Sequence, residues 1–172
     1  RRSCTARRQR CGSGTRVASC AGAQVDKRCA VLPYSARLPL ATFLDFLRTK
    51  QRFLLTGHEN PDGDCLGAQV ALYHLLTALG QTVHIVNPDP PAKAFDFLLQ
   101  HTPFSHARAE GALPAFDAVV LLDCCRLSRL AQLGPRLVQQ RPTIAVIDHH
   151  VGSDRGDGSI CYVDSKAAAT GA

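Results

Sequence analysis

At 172 residues, 45% hydrophobic and 20% charged, the chain is sized for a single globular domain with enough apolar mass for a core. No apolar run approaches the roughly 18 to 20 residues needed to cross a bilayer, which excludes a transmembrane helix and points to a soluble protein. The formal charge of +6 is concentrated in residues 1–30, where eight arginines and lysines face Asp26 alone. The rest of the chain is slightly negative, which excludes a basic body that steers nucleic acid by its field.

Residues 1–30 contain no Phe, Leu or Ile and no apolar periodicity, so a targeting peptide is not expected. Cys4, Cys11, Cys20 and Cys29 lie seven, nine and nine residues apart, unlike the paired spacing of zinc ribbons and fingers. Methionine is absent even at position 1, and the natural start is expected to lie elsewhere. The reading is a disordered basic tail over 1–35, with a non-native origin left open, followed by one α/β domain over 36–172. In the domain, Cys65, Cys124, Cys125 and Cys161 flank acidic motifs or sit in strands as small hydrophobes, which fits a reducing, cytoplasmic setting.

Leu40, Phe43, Leu44, Phe46 and Leu47 follow Pro39 at helical spacing and predict a short leading helix. Arg52–Gly57 predicts a buried strand, and Asp64–Leu79 a helix stopped by Gly80. Thr82–Val86 is the next strand, followed by the turn cluster Asn87-Pro88-Asp89-Pro90-Pro91 and an apolar stretch around Phe95, Phe97, Leu98 and Leu99. Ala118–Leu122, Thr143–Ile147 and Ile160–Val163 complete the strands, with weak helices at Leu127–Leu133 and Pro135–Gln140. Unbroken apolar strands alternating with helices predict a doubly wound parallel sheet covered on both faces. In such sheets ligands bind beyond the carboxyl ends of the strands.

Three strand ends carry acids or histidines. The first runs into His58-Glu59-Asn60-Pro61-Asp62-Gly63-Asp64, the second into Asp123, and the third into Asp148-His149-His150. Two carboxylates 4 Å apart repel by roughly 4 kcal/mol at an effective dielectric of 20, so converging acids need protons or metal. Mixed oxygen and imidazole donors suit manganese, iron, cobalt or zinc better than calcium. A calcium loop starting at Asn60 fails, because its sixth position is Cys65 and its twelfth Ala71, where Gly and Glu are needed. Asp64 could equally serve as a helix cap, and His149-His150 as a solvated turn.

The run His58–Gly67, Leu122-Asp123-Cys124 and Ile147-Asp148-His149-His150, in that order, resembles the DHH phosphoesterase superfamily. The stretch Tyr162–Thr170 is similar to the strand-to-helix segment of its bacterial oligoribonuclease and phosphoadenosine-phosphate phosphatase type. The resemblance implies a metal-dependent hydrolase with two divalent ions, usually manganese, about 3.5 to 4 Å apart with an activated hydroxide between them. It places His58 and Asp62 on the first ion, Asp64 and His149 on the second, and Asp123 between the two. Asp148 would orient a neighbouring ligand. His150 would contact the substrate phosphate, Asn60 would support the loop, and Arg126 or Arg129 would offer a guanidinium, although each arginine also suits a solvated surface position.

The resemblance further implies a short RNA or nucleotide substrate, with a homodimer of the full-length protein as an associated expectation. The family's later metal-binding aspartate and its smaller substrate domain lie beyond the segment that ends at Ala172. The expectation is therefore a C-terminally truncated DHH domain with a weakened second metal and little turnover. An inorganic pyrophosphatase of family II type, which shares these motifs, and an inactive nucleotide-binding module stand as alternatives.

Overall fold

The structure is a computed structural model and describes residues 40–107, 111–153 and 156–171. The expected tail over 1–35, and Leu38 and Pro39 ahead of the first helix, lie outside the described residues. Those described fall in one compact unit, Tyr34–Ala172.

In chain order the elements are α1 (Leu40–Thr49), β1 (Arg52–Thr56), α2 (Gly63–Ala78), β2 (Thr82–Asn87), α3 (Asp96–Leu99), β3 (Phe104–His106), β4 (Ala118–Leu122), α4 (Leu133–Gln140), β5 (Thr143–Asp148) and β6 (Ile160–Val163). All six strands run parallel in the order β3-β2-β1-β4-β5-β6. The chain winds outward from β1 to one edge, then returns to β4 beside β1 and winds to the other. The β1–β4 junction is thus the switch point, where strand exits leave a crevice.

Alternation along the strands separates two cores. Phe53, Leu55, Val120, Leu122 and Ala145 face α1 and α2, packing on Phe43, Phe46, Leu72 and Leu76. Leu54, Val119, Leu121, Ile144 and Val146 face the other way, onto Leu130 just before α4 and Leu133 and Leu137 on it. This is the doubly wound α/β arrangement expected of apolar strands buried on both faces. Each Leu or Phe fully buried in it contributes roughly 1.5 to 3 kcal/mol.

Several boundaries differ from the sequence reading. β1 stops at Thr56 because the Gly57 amide leaves the ladder and donates to the side chain of Asn87. α2 begins at Gly63 and is capped by Asp62 rather than Asp64: extended Asp62 accepts from the amides of Asp64 and Cys65. The expected helix over Leu127–Leu133 is one 3-10 turn, Leu127–Arg129. α4 starts at Leu133, with Pro135 in its first turn, where a missing amide costs nothing. β3 is an addition, three residues long and carrying only one apolar side chain, too short for a pattern to reveal. After β6, residues 164–171 form turns rather than a helix, because Asp164 accepts from the Ala167 and Lys166 amides and Thr170 is tied back to Asp64. No helix among the described residues is long and apolar enough to cross a membrane.

Candidate metal centre

The exits of β1, β4 and β5 bring the acidic clusters together at one end of the sheet. The loop after β1 carries His58, which is buried. Its Nδ1–H donates to the Glu59 carbonyl oxygen at 2.8 Å, and Nε2 stands 3.6 Å from Asp123 Oδ2. At the exit of β5, His149 does the same: Nδ1–H donates to the Ala167 carbonyl, and Nε2 stands 3.3 Å from Asp64 Oδ2 and 3.5 Å from Asp123 Oδ1. A backbone carbonyl on one ring nitrogen, fixing the tautomer and freeing the other, is the posture of a metal-ligating histidine.

Asp123 lies between them, one carboxylate oxygen toward each imidazole. It is 3% exposed and its φ of 59° is left-handed, a conformation that Asp tolerates better than most residues. Burial pushes its carboxyl above the ordinary range, and the nearby charges of Asp64 and Asp62 push it the same way against the hydroxyl bond from Thr170. Burial and like charges both disfavour the bare carboxylate, which a proton or a cation would relieve. Donor atoms within 4.8 Å of one another form two groups, His58–Asp62–Asp123 and Asp123–Asp148–His149–His150, with Asp123 common to both. Two donors sharing a cation at about 2.1 Å stand about 3.0 to 3.4 Å apart, close to the Nε2–oxygen separations here, so the residues fit a divalent ion on either side of Asp123.

Asp148 belongs to the second of these groups, and its carboxylate is also tied to the residues just after it. Oδ1 accepts from the amides of His149 and His150 and from His150 Nδ1 at 2.7 Å, and Oδ2 accepts from Ser153 Oγ at 2.6 Å. Burial pushes its carboxyl up, but these bonds together outweigh it and hold the group below the ordinary range. The same bond to Asp148 raises the basicity of His150, whose side chain is 55% exposed.

The remaining expected residues are placed less centrally. Asn60 is exposed, adopts a φ of 52°, and its amide donates to Asp89. Arg129 is exposed and near enough for its charge to oppose protonation of His150, and Arg126 is exposed as well. Two contributors went unread in the sequence. Ser153 anchors Asp148, and Thr170 donates its hydroxyl to Asp123 Oδ1 and its amide to both oxygens of Asp64. A serine three residues past a histidine pair carries no pattern, and Thr170 becomes visible only when the turn after β6 is folded against α2.

Residues 52–172 match the N-terminal domain of the DHH family. The bifunctional oligoribonuclease and PAP phosphatase NrnA of Thermus thermophilus is 34% identical over 113 residues, covering 66% of this chain and 32% of that protein. A crystal structure of an exopolyphosphatase-related protein from Bacteroides fragilis superimposes with a TM-score of 0.66 at 18% identity, covering 81% of this chain and 42% of that one. At that identity the likeness is one of fold. The chain spans about a third of the curated relative and less than half of the solved one.

Proposed function

The chain belongs to the DHH family, and from that premise we propose that it forms the metal-binding part of a phosphoesterase hydrolysing short oligoribonucleotides, 3′-phosphoadenosine 5′-phosphate, or both. The observation carrying this reading is the shared carboxylate: each oxygen of Asp123 faces a histidine whose other nitrogen is already bonded to backbone. The nucleotide part of the reading is supported by the activities named for the Thermus relative.

Bound divalent ions, manganese in our reading, would neutralise the carboxylates and the attacked phosphate and supply water of lowered pKa. His58, Asp62 and Asp123 would hold one ion, and Asp64, His149 and Asp123 the second. Asp148 fixes the backbone and imidazole of the His149-His150 pair. His150, with Nδ1 committed to Asp148, has its second nitrogen left for a phosphate oxygen. Arg129 adds positive charge beside it, and Arg126 and Asn60 are the further candidates for substrate contact in this reading. Among the described residues, Cys65, Cys124, Cys125 and Cys161 form no disulfide, which fits the cytoplasmic setting of this reading.

The test is a manganese titration combined with hydrolysis assays on the full-length gene product, using a diribonucleotide, 3′-phosphoadenosine 5′-phosphate and pyrophosphate. Two bound ions and cleavage of either nucleotide substrate are expected. Cleavage of pyrophosphate alone would replace this reading with the pyrophosphatase, and nucleotide binding without hydrolysis would replace it with a binding module.

A further inference from the structure

Gln69 on α2 and Asn87 at the end of β2 are both fully buried, yet neither lines the acidic crevice. They bond reciprocally: Gln69 Nε2 donates to Asn87 Oδ1 at 2.8 Å, and Asn87 Nδ2 donates to Gln69 Oε1 at 2.9 Å. Asn87 Oδ1 also accepts the Gly57 amide at 3.2 Å, and two residues on, Asp89 Oδ2 accepts the Asn60 amide at 2.9 Å. The exit of β2 therefore grips the β1–α2 loop on both sides of His58.

Stability alone does not call for this arrangement. Replacing both partners of a buried polar pair by apolar groups of the same shape is nearly neutral. What an apolar pair could not do is hold the amide immediately before His58. Asp89 likewise meets the one residue of this loop in a left-handed conformation, Asn60. We infer that Asn87, braced by Gln69, and Asp89 are positioning residues that fix the loop so that His58 Nε2 faces Asp123. The inference rests on the metal reading above and adds the residues that pre-set its His58 side.

Two independent changes test it. Asp89→Ala removes a partly exposed acceptor without disturbing the core, and Asp89→Asn keeps a carbonyl oxygen there. Gln69→Leu combined with Asn87→Leu exchanges the buried pair for apolar side chains and releases the Gly57 amide. In a manganese titration, Asp89→Ala and the double variant should each weaken one ion by roughly 10 to 100-fold while leaving the other unchanged. In metal-free protein, deuterium exchange should accelerate at Asn60 in Asp89→Ala and at Gly57 in the double variant. Asp89→Asn should restore both properties. If the double variant does not fold, the Asp89 pair decides.

Folded variants binding two ions with wild-type affinity, or losing both ions equally, would overturn the inference. A wild-type protein that binds no manganese would instead remove the metal reading, and this inference with it.

Discussion

The two sides of the centre are held by different means. On the His58 side the backbone itself is tied down: the amides of Gly57, Glu59 and Asn60 donate to Asn87, to the Arg129 carbonyl and to Asp89, all outside the loop. On the His149 side the anchoring is done by carboxylates. Asp148 gathers four donors from the residues just after it, and Asp64 is held by the amide of Thr170, 106 positions along the chain. The first side is set by acceptors at the exit of β2 and on the turn after β4, and the second by a carboxylate next to it in the chain and a distant turn. Asp123 alone belongs to both, so perturbations should be separable everywhere except there.

Asp123 should show the largest effect. Asp123→Asn preserves shape, tolerates the left-handed backbone and can still accept from Thr170, but it removes the shared charge. Both ions should be lost together, a larger loss than the roughly 10 to 100-fold cost of removing an outer partner. The pH profile of the metal-free protein supplies the sign. Because the Asp123 pKa is raised on folding, the stability it contributes is complete at acid pH and is lost as pH rises through that raised value. Under chelation, Asp123→Asn should therefore be more stable than wild type at neutral pH and lose that advantage in acid, as followed by thermal melts. A variant that keeps one ion would show that the two sides are independent even at Asp123.

Asp148→Ala should come next and affect one side. Its depressed pKa has the opposite sign: its contribution is present above the ordinary aspartate range and is lost as pH falls through the depressed value. Removing the carboxylate leaves Ser153 and the His149-His150 segment without their acceptor, at a cost of about 1 to 3 kcal/mol. The ion on the His149 side should weaken by about 10 to 100-fold, with the His58 side spared. Equal loss at both would mean that Asp148 supports the whole centre.

This division also explains what could be read from the chain. β4 and β6 have the predicted limits because short apolar runs ending in turn residues announce strands, fully buried in β4 and half-buried at the edge in β6. The ligand candidates were legible because acids and histidines at three strand ends must converge once the strands are parallel. Partners that exist only through tertiary contact were not legible: Thr170 against Asp64, Ser153 against Asp148, Gln69 against Asn87. The choice of cap was equally hidden, since Asp62 and Asp64 both suit the pattern, and the extended backbone at Asp62 selects it. The backbone-held side is the harder of the two to foresee, because glycine and asparagine at a strand exit look like ordinary turn residues.

Gly57 tests the backbone-held side directly. A Cβ there would lie 2.0 Å from Cys65 Sγ and 3.0 Å from the Leu122 carbonyl oxygen, so Gly57→Ala should cost about 1 to 3 kcal/mol of overpacking and weaken the His58 ion first. Cys65 is an inert partner, its thiol pushed well above the ordinary range by burial, so Cys65→Ala changes no chemistry. Combining the two should recover most of the melting temperature. No recovery would place the remaining clash at Gln69 Nε2, 2.9 Å from that Cβ, or at the Leu122 carbonyl oxygen.

The smallest effect belongs to Thr170. Thr170→Val keeps the shape and the amide bond to Asp64 but deletes the hydroxyl bond to Asp123 Oδ1, the oxygen facing His149. One such bond is worth about 0.5 to 1.5 kcal/mol, so affinity on the His149 side should fall by roughly two- to tenfold, and Thr170→Ser should restore it. The value of so small a change lies in its direction. If Asp123 is a rigid bridge, releasing one oxygen reorients the whole carboxylate and both ions weaken together. If the backbone clamps hold His58 independently, only the second ion responds. Manganese affinities measured on the valine and serine variants distinguish the two.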